Sequence, residues 1–256
     1  MKLYKKDQHF LIDKKILNRI IDYGDLKNSD IVLEIGAGYG NLTVELARKA
    51  GRVIAVEIDQ ELASSLSGWD NVDVIKRDAL KIEFPYFNKV ISNLPYSISS
   101  PVTFKLLRHK FDVAILMYQH EFARRLVALP GNKDYSRLSI GVQYYADVEI
   151  LEKVPPSAFS SPPEVSSAIV RLTPRPPLYE VSDREFFMKF LKAAFSQRRK
   201  KLRNALLNNA VLLGIEDIKI AIEKLPQIMI ERRAETISPE ELAGLSDILA
   251  AWKKRV

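Results

Sequence analysis

Asn93-Leu94-Pro95-Tyr96 stands where the apolar run through Val90 and Ile91 gives out, and it joins three groups that chemistry at a planar amine would use. The Asn93 amide offers an oxygen acceptor. Pro95 restricts the backbone and so helps to aim the Leu94 carbonyl, a second acceptor. Tyr96 presents a flat face on which a base drawn out of its stack can lie. The N6 of adenine is such an amine. Its lone pair is delocalised into the ring, and acceptors that engage its protons draw it towards tetrahedral geometry. With a good leaving group on the other reactant no strong base is needed, and positioning supplies most of the acceleration. The plainer reading of the same four residues is an Asn-capped turn with a packed tyrosine.

A second constellation lies upstream. Glu34-Ile35-Gly36-Ala37-Gly38-Tyr39-Gly40 follows an apolar run, and glycines at Gly36 and Gly38 let the backbone pass close to a ligand. Glu57 closes the next apolar run, about 20 residues on, where a carboxylate can accept from both hydroxyls of a ribose. Asp78, in Arg77-Asp78-Ala79, ends a third run; its carboxylate can accept from the exocyclic amine of an adenine while a backbone N–H addresses the ring. Glycines with a downstream acid fit dinucleotide enzymes and methyltransferases alike, and also a mere tight strand–helix turn. The E-x-G-x-G form, with Glu34 two residues before the first glycine, is the signature of S-adenosylmethionine (SAM) methyltransferases, and a sulfonium is an excellent leaving group.

The elements that must position these residues alternate. The runs at 30–38, 52–59, 72–80, 88–96 and 113–118 read as strands, and the segments 41–51, 60–66 and 100–109 have helical spacing. That alternation predicts a parallel, doubly wound sheet. Residues 137–155 read as further helix or strand, and 166–174 as a late strand. The segment "TPRPPLYEVSD" is the best linker in the chain. Beyond it the spacing is helical throughout, with Ser238-Pro239-Glu240-Glu241 reading as an N-cap, a proline at N1 and an acidic first turn. The expected fold class is therefore α/β, a Rossmann-like class I SAM-dependent methyltransferase domain with a mostly parallel, doubly wound sheet at 1–176 and a basic N-terminal arm, followed by a small all-helical domain at 177–256.

The 256 residues carry a formal charge of +7, and 47% are hydrophobic, a globular value. Residues 1–20 carry +4, 181–256 carry +5 and the middle carries −2, so the anionic partner expected of a basic protein would meet the two ends. With no cysteine, disulfides and Cys-held metals are excluded; three scattered histidines show no ligand spacing, so no metal is expected. No apolar run approaches a membrane span and the N-terminus has no apolar signal core, so a soluble cytoplasmic protein without membrane partners is expected. Nothing demands a dimer, and a monomer is expected.

Taken together the motifs resemble the ribosomal RNA adenine dimethyltransferase family of the KsgA type. The resemblance rests on Gln8-His9-Phe10-Leu11, "LEIGAGYGNLT" (33–43), "VEID" (56–59), "RDAL" (77–80), "NLPY" (93–96) and "YSRLSI" (135–140). It continues through "VPPSAFSSPPEVSSAIVRL" (154–172), "AFSQRRKKLRNAL" (194–206) and "RAETISPEELAGL" (233–245), and so covers nearly the whole chain. It implies SAM-dependent dimethylation of N6 on two adjacent adenines in the 3′-terminal hairpin loop of small-subunit rRNA, within an assembling ribosomal particle. By the same resemblance His9 and Leu11 cover the cofactor, Gly36 approaches its methionine part, Glu57 its ribose, and Asp78 with Ala79 its adenine. Asn93 holds the target amine, and Phe159 closes over the target base opposite Tyr96. His9 stands where many members have Asn, and Ser92 where relatives often have Gly or Ala. Five of the six residues from Arg198 to Arg203 are basic (Arg198, Arg199, Lys200, Lys201 and Arg203), and they are expected to meet phosphates.

Four rival readings fit these residues less well. The antibiotic-resistance branch methylates a large-subunit rRNA adenine; the long basic segment and the "PEELAGL" tail favour the small-subunit type. A non-catalytic nucleic-acid-binding relative would not need an intact Asn93–Tyr96 tetrad and cofactor set. DNA N6-adenine methyltransferases usually carry proline where Leu94 stands. A nicotinamide oxidoreductase leaves "NLPY" unexplained.

Overall fold

The computed structural model describes residues 8–66 and 68–253. Lys2, Lys5 and Lys6 of the basic arm lie outside the described residues. Contacts divide the chain into two units: one comprises the chain up to Arg124 together with Ala146–Arg175, the other Arg125–Tyr145 together with the chain from Pro176.

In the first unit, α1 (Lys14–Gly24) precedes the alternating series β1 (Ile31–Ile35), α2 (Asn41–Ala47), β2 (Arg52–Glu57), α3 (Gln60–Ser65), β3 (Val72–Lys76), β4 (Lys89–Asn93), α4 (Ser99–Leu106), β5 (Val113–Gln119) and α5 (His120–Leu126). The strands β6 (Ala146–Val154) and β7 (Ser167–Pro174) complete a seven-stranded sheet in the order β3-β2-β1-β4-β5-β7-β6. The first five strands are mutually parallel, as the alternation predicts. β7 alone is reversed, running antiparallel to both β5 and β6, so the sheet is mostly parallel. No helix intervenes between β6 and β7 to bring the chain back for a parallel crossing, so an antiparallel return is what the connection allows.

The central strands read as unbroken apolar runs because both faces are covered. Val90, Ile91 and the stretch Ala114–Tyr118 are buried. Ile16, Leu17, Ile20 and Ile21 of α1, with Leu42 and Leu46 of α2, pack on Val32, Val53, Ile91, Ile115 and Ile169. The N-terminus of α1 is held by Asp13, whose carboxylate accepts from the amides of Lys15 (2.9 Å) and Ile16 (3.2 Å). Strand order reverses at β1 and β4, so their carboxyl ends flank the crevice where open α/β sheets take ligands.

The second unit holds α6 (Arg137–Gln143), α7 (Arg184–Ala194), α8 (Leu202–Leu207), α9 (Ala210–Leu213), α10 (Ile218–Glu223), α11 (Gln227–Ile230) and α12 (Pro239–Lys253). Its core gathers Phe186, Phe187, Phe190 and Leu191 with Leu242, Leu245 and Leu249. Tyr135, Ile140 and Tyr144 belong to the same core. The sequence reading assigned 125–145 to the α/β domain with one boundary near 176; the chain instead leaves the sheet after α5, contributes these residues to the helical core, and returns as β6. The cap at α12 is fuller than predicted: the Glu241 amide donates to the Ser238 hydroxyl (3.1 Å), and the Ser238 amide donates to the Glu241 carboxylate (2.9 Å). The helical spacing beyond the linker does not give one continuous helix over 183–207. Residues 195–200 are turn, and α8 begins only at Leu202, whose amide donates to the Arg232 carbonyl. Four consecutive like charges at 198–201 repel one another in a helical turn, which favours the break there.

Candidate active site

The carboxyl ends of β1, β2 and β4 open onto a cleft enclosing about 790 Å³ of space, open solvent included. His9, Leu11, Gly36, Gly38, Glu57, Asn93, Leu94, Pro95 and Tyr96 all line it. A second cavity of about 400 Å³ adjoins it, sharing Gly36, Glu57, Ile58 and Pro95, and is lined further by Arg77, Asp78 and Ala79 from the end of β3 and by Ser97 and Ile98 ahead of α4. The sequence-predicted cofactor residues are thus brought together in two contiguous spaces.

Two glycines are required sterically. Gly36 has φ +78°, and a Cβ there would stand 2.9 Å from the Pro95 ring. Gly38 has φ +56°, and a Cβ there would meet the Phe10 ring at 2.9 Å. The turn therefore passes tightly between the tetrad's proline and the N-terminal segment. Glu57 is 6% exposed, and each of its oxygens accepts one amide, from Gly38 and from Asp59, both at 2.9 Å. Each oxygen keeps lone-pair capacity facing the cleft. Asp78 accepts from the Leu80 amide at 2.9 Å, which orients its carboxylate in the turn after β3.

Glu34 is 2% exposed and lines the cleft. Its Oε2 and the Thr43 Oγ1 are buried, and neither makes a hydrogen bond. Burial pushes the Glu34 carboxyl up to about 8; the nearby Thr43 hydroxyl draws it down and the Glu57 carboxylate adds to the rise.

The tetrad is oriented from both sides. The Asn93 Nδ2 donates to the His9 backbone carbonyl at 2.9 Å, which turns Oδ1 the other way; among the described residues Oδ1 accepts no hydrogen bond. The Tyr96 hydroxyl shares a 2.6 Å hydrogen bond with the Ser167 hydroxyl at the start of β7. The Ser92 hydroxyl lines neither cavity. It is buried between β4 and β1, where it accepts from the Ile35 amide (3.2 Å) and donates to the Ile35 carbonyl (2.5 Å).

Two placements differ from expectation. Phe159 is 2% exposed, bridged to Leu11 and packed in the core; it does not line the cleft. The ring beside Tyr96 is His9, with centroids 5.3 Å apart, and the Phe159 ring packs edge-on behind it at 6.4 Å. The His9 Nδ1 lies 2.6 Å from the Ser161 carbonyl, so that nitrogen carries the proton and donates. Second, residues 198–201 of the basic run sit between α7 and α8 and not on a helix, and Arg203 lies in the first turn of α8. Arg198, Arg199, Lys200, Lys201 and Arg203 are all exposed. Arg198 pairs with Glu235 at 3.2 Å and Lys201 with Glu231 at 2.6 Å. Arg199, Lys200 and Arg203 make no side-chain hydrogen bond or ion pair among the described residues.

Sequence reasoning passed over Asn41 and the Phe10–Tyr39 pair. The Asn41 side chain donates to the Leu11 carbonyl at 2.9 Å and so ties the N-terminal segment to α2. The Phe10 and Tyr39 rings meet at a 56° tilt on the cleft wall, with centroids 4.5 Å apart. An amide and an aromatic so close to the glycines were the available signals. Among the described residues no group of three or more His, Asp or Glu side chains could hold a metal ion, and no helix is long and apolar enough to cross a membrane.

The chain is similar to known proteins along nearly its whole length. Residues 3–251 match the family described as ribosomal RNA adenine dimethylase. A probable ribosomal RNA small subunit methyltransferase A from Methanosarcina mazei is 55% identical over 253 residues, covering 97% of this chain and 93% of that one. Among solved structures, a dimethyladenosine transferase from Plasmodium falciparum is 33% identical with a TM-score of 0.77, covering 96% of this chain and 98% of that one. The 23S rRNA methyltransferase ErmE is 30% identical with a TM-score of 0.64, covering 94% and 99%. With its class I methyltransferase sheet and a family match over nearly its whole length, the chain belongs to the ribosomal RNA adenine dimethylase family.

Proposed function

We propose that the protein transfers methyl groups from SAM to N6 of two adjacent adenines in the 3′-terminal hairpin loop of small-subunit rRNA, giving N6,N6-dimethyladenosine during assembly of the small subunit. It works as a monomer in the cytoplasm. One observation carries the reading. The Asn93 amide is pinned through its nitrogen to the His9 carbonyl, so its oxygen is presented as an acceptor beside the cofactor cleft.

The residues present fit SAM. Glu57 keeps an acceptor site on each oxygen for the ribose hydroxyls. Asp78 and Ala79 line the cavity for the adenine. The unpartnered, buried Glu34 Oε2 borders the cleft where a cation would satisfy it. When bound, SAM supplies a methyl group on a sulfonium that departs as a neutral thioether.

Asn93 Oδ1 and the Leu94 carbonyl accept the protons of the target amine and turn its lone pair outward. Tyr96, its ring anchored through Ser167, supplies the stacking face. The carbon–sulfur bond breaks as the nitrogen–carbon bond forms, and the nitrogen then loses one proton to solvent. The second transfer uses the N–H that remains. The Ser92 hydroxyl is turned into the sheet, so it takes no room from the methylated amine. The chemistry as derived uses no metal.

Methyl transfer from labelled SAM to undermodified small ribosomal subunits, followed by digestion to nucleosides, tests the reading. N6,N6-dimethyladenosine from the small subunit alone is the expected product. The likeness to ErmE makes large-subunit rRNA the necessary second substrate; product there instead would move the protein to that branch. Tight SAM and RNA binding without transfer would mark a non-catalytic relative.

A further inference from the structure

Asp78 is placed by more than its own turn. Lys105, in the last turn of α4, is partly buried and makes no ion pair among the described residues. Its ammonium reaches across to the loop after β3. There it donates to the Ala79 carbonyl at 2.8 Å and also to the Ile82 carbonyl, and it stands 4.3 Å from the centroid of the Phe84 ring.

The first of these contacts bears on chemistry. The Ala79 carbonyl and the Leu80 amide belong to one planar peptide unit. Its oxygen is held by Lys105, and its N–H donates to the Asp78 carboxylate at 2.9 Å. Fixing one end of a rigid plane fixes the other, so the cation sets the direction in which the Asp78 carboxylate is held. Ala79 and Asp78 line the second cavity, and so do Ser97 and Ile98 at the head of α4. The two residues just ahead of α4 therefore form part of the cavity wall, and the last turn of α4 anchors the Asp78 loop. An apolar contact would attach this loop to α4 equally well; it would not orient a carbonyl.

We propose that Lys105 is a positioning residue of the cofactor site, holding the Ala79–Leu80 peptide and through it the Asp78 carboxylate at the orientation that reads the exocyclic amine of the SAM adenine. The proposal rests on the reading that Asp78 accepts from that amine. Binding of S-adenosylhomocysteine is compared with binding of S-inosylhomocysteine, in which that amine is replaced by an oxygen. The proteins are wild type, Lys105→Met, Lys105→Arg and Asp78→Asn. Lys105→Met should weaken S-adenosylhomocysteine about tenfold, equivalent to about 1.4 kcal/mol, and shrink the preference over the inosyl analogue. Methyl transfer at saturating SAM should stay within about twofold, and Lys105→Arg should restore most of the preference, as a second cation with N–H donors.

A staple that only held the fold would lower the melting temperature and leave the preference intact. Unchanged discrimination in Lys105→Met, with discrimination lost in Asp78→Asn, overturns the proposal. Unchanged discrimination in Asp78→Asn itself overturns the reading on which it rests. If Lys105→Met does not fold, Lys105→Gln, a polar side chain one atom too short to reach Ala79, is measured in its place by the same criterion.

Discussion

Asn93 is useful because one half of its amide is already spent. The nitrogen is committed to the His9 carbonyl, and since that partner is backbone, the contact does not depend on the His9 side chain. Asn93→Ala removes the oriented acceptor while leaving the glycine turn and Glu57 untouched. Loss of a preorganised hydrogen-bonding group of this kind costs about a hundredfold or more in kcat. The expected outcome is that loss with SAM affinity within about twofold; single-turnover transfer and equilibrium binding, measured side by side, check it. Glu34 offers a pH signature. Its carboxyl is pushed up to about 8, chiefly by burial, so the folded protein holds a proton that the unfolded chain has released. The stability this group contributes is fully present below the ordinary carboxyl range and is lost as pH rises towards about 8. Melting temperatures followed across that window should fall more steeply for the wild type than for Glu34→Gln. Parallel curves would mean that Glu34 is ionised throughout.

At the scale of elements, β1 and β4 end differently from the rest of the sheet. Their registered pairing stops at Leu33 with Val90, while the Gly36 amide still donates to Val56 on β2. Ile35 between them therefore turns its N–H and C=O towards β4, where the Ser92 hydroxyl meets both. One side chain thus ties the strand that leads into the glycine turn to the strand that leads into the tetrad. Ser92→Ala leaves two buried backbone groups without a partner, at a cost of about 1–3 kcal/mol. A lower melting temperature is expected. The ratio of mono- to dimethyladenosine should not change, because the hydroxyl does not face the cleft; a changed ratio would place Ser92 in the target pocket after all. This level was partly legible in the sequence. Asn93, Glu57 and Asp78 could be placed because an apolar strand announces its own end, and polar residues there have few purely structural reasons to exist. Ser92 and Lys105 could not, since a small residue in a strand and a lysine on an amphipathic helix say nothing of what they reach across the fold. Tyr135, Ile140 and Tyr144 have the same apolar spacing whichever core receives them, so the excursion of 125–145 was invisible. Phe159 was read by its neighbours in sequence, and its burial behind His9 is a matter of packing.

Over the whole molecule, the net charge of +7 resolves into sites of different availability. In the helical unit Arg198 and Lys201 are already matched by Glu235 and Glu231, whereas Arg199, Lys200 and Arg203 remain for an outside anion. Breaking the helix at this run exposes all five basic side chains in and beside one turn, where a continuous helix would have spread them round its circumference. A phosphate backbone is the partner such a turn suits. Each phosphate contact contributes roughly 0.7–0.9 to the slope of log affinity against log salt. Replacing Arg199, Lys200 and Arg203 together with Ala should weaken binding to small ribosomal subunits and flatten that slope by about 2. Replacing Arg198 and Lys201 together should flatten it less, because exposed pairs such as theirs have part of their charge already answered. SAM affinity should be unchanged in both, since none of these residues borders the cleft. Equal slopes for the two variants would show that the ion pairs open on binding and that all five cations act alike. A slope unaltered in the triple variant would return the turn to solvent and leave phosphate recognition to the other basic segments.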